Sequence, residues 1–441
     1  MVKVCVDGFN LALPRGTGIA TYGRNLLTTL QRLGHSPQVL FGPAGPVGKD
    51  NLINTISISD PPIAKGRYSK ATRWAKTVGS RLGRTPQLVA ANDDVIWNET
   101  SNPRPSGTAL WASQQLYHYA LRSHRMYRAF TPVRFSGEDQ PSVMHWTCPL
   151  PLWSPKRVNI YTFHDLIPLT FPSATSEDRT LYLSLCKEVA RRADHIFSVS
   201  ETTRQSAIRV LGIDENKITT TYQSVALPPS ALEMSDKETG DYIGSVFDLD
   251  WKGYFLFYGA IEPKKNLTRI IEAYLSSGVS SKLIIVGGRS WLDSGEGQMI
   301  SNVIEGENIK RKGRIIKFDY MSADMLTKLV RGAKATLFPS LYEGFGLPVL
   351  ESMLLGTAVI TSTAGSLPEV AGDAALIVDP YDVDAISRAI AEIDADDDLR
   401  RLWEIRGLSR ARMFSPDIHA SKVSQIYKRL GISMPGLSAE P

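Results

Sequence analysis

One local pattern recurs along this chain: a short apolar run, a loop carrying glycine, then apolar residues at helical spacing. Residues 2–6 lead into Asp7-Gly8, residues 254–258 into Gly259-Ala260, residues 282–286 into Gly287-Gly288, and residues 335–338 into a loop holding Gly344 and Gly346. Runs that are apolar almost throughout, rather than alternating, read as strands buried on both faces. Strands alternating with helices build parallel α/β sheets, and such sheets place ligands in the loops at the carboxyl ends of their strands. With 441 residues the chain has room for two or three such domains.

The densest of these loops runs Phe338-Pro339-Ser340-Leu341-Tyr342-Glu343-Gly344-Phe345-Gly346-Leu347-Pro348-Val349-Leu350-Glu351, and helical spacing continues to Leu355 before Gly356. Pro348 suits the first helical position, and the amides around Gly346 to Val349 would then face outward at the positive end of a helix dipole. Gly344 and Gly346 let backbone approach a phosphate closely, and the helix start supplies donors to hold it. Glu343 stands before the loop and Glu351 about one turn into the helix. Carboxylates repel phosphate, so these two are expected to accept from neutral sugar or ribose hydroxyls.

Other strand ends add to the picture. The loop after the first strand contains Gly16 and Gly18 but not the GxGxxG spacing, so it gives no support for a dinucleotide cofactor, and a plain tight turn explains it equally well. His164-Asp165 follows the strand 159–163, where a histidine can donate to a sugar hydroxyl or a leaving oxygen. Lys264 and Lys265 follow the strand 254–258. A diphosphate needs positive charge beyond the roughly half charge that a helix end supplies, and a lysine at such a turn provides it.

The E-G-F-G-L-P-x-L-E context of Glu343 and Glu351, together with H-D-L-I-P around His164 and the Lys264-Lys265 turn, resembles the retaining glycosyltransferases of family 4. The resemblance implies the GT-B fold: α/β, two facing Rossmann-like domains with parallel sheets and a deep interdomain cleft. It implies an acceptor-side domain over residues 1–228, a nucleotide-sugar domain over 254–413 and a helix over 414–431 returning to the first domain; Pro228-Pro229 and the polar stretch to Asp250 read as a linker, over 229–253, and residues 432–441 as a tail. It assigns catalysis to Glu343, His164 and Lys265, with His164 contacting the transferred sugar. Donor binding falls to Gly16, Gly18, Lys264, Lys265, Gly287, Tyr320, Met321, Gly344, Phe345, Gly346, Leu347 and Glu351. Where relatives carry Pro-Asn-Gly-Val after the last strand of the first domain, this chain has Tyr222-Gln223-Ser224-Val225. The expected donor is a nucleoside-diphosphate sugar, with neither cofactor nor metal. The wording Gly365-Ser366-Leu367-Pro368-Glu369-Val370 is similar to that of mannosyl- and deoxyhexosyltransferases, which favours a GDP-activated hexose and a glycan or polyprenyl-linked glycan acceptor. A nucleotide-sugar 2-epimerase, a phosphorylase and a non-catalytic donor-binding protein are the alternatives on the same architecture.

Composition limits the setting. Charged residues make up 22% and the net charge is +5. Cys5, Cys148 and Cys186 stand far apart, giving neither a disulfide framework nor a zinc pattern, which fits a reducing cytoplasm. The first residues lack a signal-peptide core, and no run approaches the roughly 20 apolar residues of a membrane span. Residues 42–140 read as an irregular insertion. Lys65, Arg67, Lys70, Arg73, Lys76, Arg81 and Arg84 come there without an intervening acid, with Ala71, Trp74, Val78 and Leu82 on one face if helical. That pattern suits peripheral contact with an anionic inner membrane face, a solvated basic helix or a disordered loop. Arg122, Arg125 and Arg128 among Tyr117, Tyr119 and Tyr127 would extend the same surface. No RNA- or DNA-binding motif accompanies the strip, so no nucleic-acid partner is expected. Asp394, Asp396, Asp397 and Asp398 read as a solvated acidic turn rather than a metal site.

Overall fold

The computed structural model describes residues 1–13, 18–48, 50–59, 69–90, 92, 94–97, 108–175, 177–225, 227, 231, 233–288, 302, 306 and 313–433. It divides into two compact units, Met1–Ser224 with Pro416–Pro441, and Val225–Ser415.

The first unit is built on strands β1 (Lys3–Asp7), β2 (Ser36–Phe41), β3 (Gln87–Val89), β4 (Ala109–Ala112), β6 (Val143–Trp146), β8 (Val158–Phe163), β9 (His195–Ser198) and β10 (Ile218–Thr220); two-residue strands β5 (Thr131–Pro132) and β7 (Leu152–Trp153) pair apart from them. The main sheet runs β10-β9-β8-β6-β1-β2-β4-β3, parallel except where β3 meets β4. Because β1 lies between β2 and β6, the chain order reverses there and the loops after β1 and β6 meet at the switch point.

The segment expected to be irregular contributes β3, β4 and β5 and the helices Asn51–Ser59, Lys70–Gly79 and Leu116–Tyr127. β4 is only four residues long, and it docks on β2 through a non-local bond: the Trp111 indole donates to Gln38 Oε1 at 2.9 Å. Local periodicity carries no trace of such a bond. Tyr117 and Tyr119 are buried, and the Tyr117 hydroxyl donates to the Leu40 carbonyl. They belong to the core and do not extend a basic surface. On the basic helix Lys70–Gly79, Trp74 is 54% exposed and Val78 half-buried, while Leu82 lies beyond the helix in the turn Ser80–Leu82, 81% exposed; Lys65 and Arg67 lie outside the described residues.

The helix Pro416–Arg429 belongs to this unit. Thr29 Oγ1 lies 3.2 Å from His419 Nδ1, and Arg32 pairs with Asp417 at 2.6 Å. Val423, Ile426 and Tyr427 enter the core beneath Leu26 and Leu30.

The second unit holds a six-stranded parallel sheet of β11 (Tyr254–Tyr258), β12 (Lys282–Val286), β13 (Ile315–Phe318), β14 (Ala335–Phe338), β15 (Ala358–Ser362) and β16 (Leu376–Val378), in the order β13-β12-β11-β14-β15-β16. Counted from β11 this is the dinucleotide-fold order 3-2-1-4-5-6, with the switch point between β11 and β14. The polar stretch expected to be a linker contains the helix Asp236–Phe247, started by a reciprocal cap in which Ser235 accepts from the Glu238 amide and Glu238 accepts from the Ser235 amide. Ile243 buries this helix against Gly332, where a Cβ would come within 2.3 Å of Ile243 Cδ1. Asp394, expected to be solvated, pairs with Lys334 at 2.7 Å and is only 16% exposed. Asp396 caps the helix Asp397–Arg412 by accepting from the amides of Asp398 and Leu399.

Candidate functional site

The loops after β11 and β14 meet at the second unit's switch point. After β11 the chain turns at Gly259, whose φ of +132° suits glycine, and passes through a 3-10 turn at Pro263–Lys265 into the helix Leu267–Ser276. After β14 it runs from Pro339 to Gly346 and enters the helix Leu347–Leu354. Backbone and side chain tie the two loops together: the Leu341 amide donates to the Lys264 carbonyl at 2.7 Å, and Asn266 Nδ2 donates to the Pro339 carbonyl at 2.9 Å.

Within this frame the Lys265 ammonium donates to Glu343 Oε1. Both side chains are largely shielded, 14% and 12% exposed. Burial is the strongest influence on the Glu343 carboxyl and pushes it up. The charges of Lys265 and Lys264 and the Lys265 hydrogen bond together outweigh it, so the carboxyl stays below its ordinary value and ionised. Glu351 sits differently. Burial pushes its carboxyl up, and a hydrogen bond from Tyr258 and the charge of Lys265 only partly offset that. Tyr258 Oη lies 3.3 Å from Glu351 Oε2 and donates to the Pro348 carbonyl at 2.9 Å, so a strand side chain orients the second carboxylate.

The Glu343 loop is held from behind. Ser366 donates twice to the Glu343 carbonyl, from its amide at 3.1 Å and its hydroxyl at 3.0 Å, and that hydroxyl also lies 2.9 Å from the Phe345 carbonyl. Gly365 packs flat on Glu343: a Cβ there would stand 2.5 Å from the Glu343 carbonyl oxygen, and its φ is +60°. Gly346 carries the bend into the helix at φ +107°. Pro348 occupies the second helical position rather than the first, and the Val349 amide bonds back to the Gly346 carbonyl at 3.0 Å. The helix start therefore offers fewer outward amides than its sequence suggests, and more of any charge-holding falls to Lys265.

The remaining expected residues are distributed as follows. Gly344 and Phe345 are buried in the loop, the Phe345 ring meeting Phe414 edge-on at 5.8 Å, and Leu347 opens the helix. Lys264 lies 3.5 Å from Glu262. Gly287 is required by packing: a Cβ would come within 2.1 Å of the Gly259 carbonyl oxygen, and its amide donates to Phe318 at 2.8 Å. Tyr320 and Met321 follow β13, with Tyr320 65% exposed. In the first unit Gly18 begins the helix Gly18–Arg32, while Gly16 lies outside the described residues. Tyr258, Gly365 and Ser366 were missed as site-forming residues by the sequence reading.

His164 follows β8. Its Nε2 lies 2.8 Å from the Thr147 carbonyl, Nδ1 lies 3.4 Å from Gln223 Nε2, and the ring meets Tyr22 edge-on at 4.9 Å. Burial holds the imidazole down at about 4, with the bond to Thr147 acting in the opposite sense, so it is neutral at physiological pH. All three cysteines are free and buried. Among the described residues no cluster of metal-ligating side chains occurs, and no helix is long and apolar enough to cross a membrane.

Two Rossmann-like units in one chain, the second with a lysine, two glutamates and a helix start gathered at its switch point, define a GT-B glycosyltransferase. Residues 16–227 match the Glycosyltransferase Family 4 description and residues 249–410 match Glycosyl transferases group 1. The O-antigen chain mannosyltransferase B of Escherichia coli is 34% identical over 276 residues, spanning 62% of this chain and 70% of that protein. The O-antigen chain mannosyltransferase RfbU of Salmonella typhimurium is 28% identical over 262 residues, spanning 59% and 67%. Among solved structures, the sucrose-phosphate synthase of Thermosynechococcus elongatus superposes with a TM-score of 0.67 at 17% identity, covering 98% of this chain and 99% of that one. The Anabaena protein HepE, in complex with UDP and glucose, superposes at 0.64 with 12% identity, covering 97% and 100%. This chain belongs to glycosyltransferase family 4 and is a bacterial mannosyltransferase-like member of it.

Proposed function

We propose that the protein transfers mannose or a related hexose from a GDP-sugar to a glycan or polyprenyl-linked glycan during assembly of a surface polysaccharide, with retention at the anomeric carbon and without a metal. The observation that carries this reading is the Lys265–Glu343 pair at the switch point, with Glu351 in the same loop-helix segment. Lys265 and the helix start at Leu347 take the charge that develops on the departing diphosphate. Glu351, oriented by Tyr258, accepts from the ribose, and Glu343 holds the sugar, which His164 contacts. Gly18, Lys264, Tyr320, Met321, Gly344, Phe345 and Gly346 complete the donor contacts. Double displacement would need a carboxylate free to attack the anomeric carbon. Glu343 is the formal candidate, but the resemblance to the family favours a one-face reaction in which the leaving phosphate accepts the acceptor's proton. The mannosyl preference rests on relatives named as O-antigen mannosyltransferases.

A peripheral, cytoplasmic location at an anionic membrane goes with a lipid-linked acceptor. Exposed Trp74 and Leu82 beside Lys70, Arg73, Lys76 and Arg81 support it, at about 1 kcal/mol per phosphate-facing cation.

Calorimetry with GDP, UDP and ADP, followed by incubation of GDP-mannose with and without a lipid-linked glycan, tests the reading. GDP should bind at least about tenfold more tightly than the others, a difference of about 1.4 kcal/mol. Transfer should need the acceptor and survive EDTA. Donor turnover without acceptor would point to an epimerase, and binding without turnover to a non-catalytic protein.

A further inference from the structure

His164 is reached by Gln223, a residue that stands where the resembling sequences have asparagine. The Thr147 carbonyl can only accept, so His164 Nε2, 2.8 Å away, must carry the proton. That leaves Nδ1 of the neutral ring with a bare lone pair, and the Gln223 amide nitrogen at 3.4 Å is the donor that faces it. Gln223 is 5% exposed, and its Oε1 is buried without a hydrogen-bond partner among the described residues. Turning the amide over would give Oε1 the ring as a neighbour, but two acceptors would then meet unless Nδ1 were protonated. Ring protonation and amide orientation are therefore linked.

We propose that Gln223 is a positioning residue that holds His164 as the neutral, Nε2-protonated ring, so that His164 shapes the sugar site without donating or accepting a proton in the reaction. The clause on the sugar site rests on the function proposed above; the clause on the ring does not. The backbone supports the same arrangement from both sides. Thr147 is fixed by its amide donating to buried Asp7 at the end of β1, and the His164 carbonyl accepts from Thr203 Oγ1 at 3.2 Å. Ser224 is held by Asn25, whose Nδ2 donates to its carbonyl at 2.8 Å, which keeps Gln223 in register with the ring. The titratable groups around this assembly include, among the described residues, Tyr22 from the helix Gly18–Arg32 with His419 at 6.5 Å from its ring, Asp7 through Thr147, Asp165, whose Oδ1 accepts from the Ile167 amide, and Lys422 from the helix Pro416–Arg429, whose Nζ lies 4.0 Å from the centre of the neighbouring Tyr222 ring.

Nitrogen NMR of the histidine rings, assigned with a His164→Ala control, tests this in the unliganded protein. His164 should appear as the Nε2–H tautomer and stay neutral down to about pH 5. Gln223→Glu replaces the donor by an acceptor, so Nδ1 should gain a proton and the His164 titration midpoint should rise by at least two pH units, about 100-fold in proton affinity. Gln223→Leu removes the donor without supplying an acceptor. It should lower kcat about tenfold with the donor KM unchanged. In the glutamate variant kcat should acquire a new dependence on pH, and in Gln223→Asn part of the leucine loss should be recovered. A wild-type Nδ1–H tautomer, or an unmoved midpoint in a glutamate variant that still folds and binds nucleotide, would overturn the inference. A chain with the stated tautomer and shift that transfers no sugar upholds it and removes the proposed function instead.

Discussion

Replacing Lys265 by methionine removes the cation facing Glu343 while keeping most of the apolar stem. Breaking one partner out of a buried pair costs about 3–5 kcal/mol, because the other charge stays behind without compensation. Here the side chains retain 14% and 12% exposure, and Lys264 also draws the Glu343 carboxyl down, so the expected cost is roughly 2–3 kcal/mol. Glu343→Gln strands the opposite charge, but an ammonium on a flexible stem can swing toward water, so about 1–2 kcal/mol is expected there. The double variant leaves neither charge and should lose only about 1 kcal/mol, giving a coupling energy of about 2 kcal/mol or more. Hydrogen exchange of peptides covering β11 and β14, followed against urea, isolates the second unit's unfolding and closes the cycle. The sign with pH follows from the carboxyl's depressed native value. The pair's contribution is fully present above the unfolded carboxylate value near 4.5 and is lost as pH falls through the native value below it. The coupling should accordingly hold at pH 7 and shrink below about 4.5. Affinity for a nucleoside diphosphate should fall roughly 10- to 100-fold in Lys265→Met. Additive losses, with coupling under about 0.5 kcal/mol at pH 7, would refute the view that these two groups form one electrostatic unit.

Three other perturbations read different parts of the molecule. Glu351→Gln should stabilise the unliganded protein at pH 7.5 and weaken nucleotide binding about tenfold: burial raises the native carboxyl, so its contribution to stability is present below about 4.5 and turns against the fold as pH rises through the native value. Thermal melts at pH 4 and 7.5, with and without GDP, check both halves of that statement. Gly365→Ala should cost more than about 1 kcal/mol and abolish the nucleotide-induced rise in melting temperature, since the new methyl meets the Glu343 carbonyl in a left-handed backbone; calorimetry with GDP reads the loss. Acid should loosen the first unit before the second. Burial holds His145 at about 3 and His164, His195 and His419 at about 4, each below the unfolded value of 6.5, so each withdraws up to about 1.4 kcal/mol per pH unit as pH falls from 6.5 toward its native value. Hydrogen exchange at pH 5 and 7 should show β6, β8 and β9 losing protection while β11 and β14 keep theirs.

The strand-loop-helix units were legible because their signals are local. Buried strands such as β11 and β14 are apolar along their whole length, and glycine marks each turn at their ends. What escaped depends on contacts distant in sequence. Tyr258 looks like one more apolar strand residue, and its hydroxyl acquires meaning only when the helix Leu347–Leu354 brings Glu351 to it. Ser366 and Gly365 stand more than twenty residues beyond Glu343, so their clamp leaves no spacing to detect. The helix Asp236–Phe247 is a different case: its Ser235-x-x-Glu238 cap is plain in the sequence, but a polar composition and the pair Pro228-Pro229 argued for a linker. Residues 42–140 resisted for a third reason. Their strands are two to four residues long, too short for periodicity to separate from chance.

The Lys265–Glu343 pair has a cost and a use that belong together. An ammonium waiting alone at a shielded switch point bears its desolvation uncompensated, whereas one already paired with a carboxylate has that cost offset by their attraction. In the proposed reaction the diphosphate, carrying more charge than one carboxylate, competes for the same cation, and Glu343, released in part, is left ionised next to the sugar whose hydroxyls it can accept from. The clamp from Ser366 and the close approach of Gly365 keep the Glu343 backbone still while its side chain changes partner. The lysine's position is thus set before the donor arrives, and part of the ordering that binding would otherwise demand has been met in folding. By the same argument Lys265→Arg is not a conservative change: a planar guanidinium would hold the carboxylate bidentately and yield it less readily to phosphate.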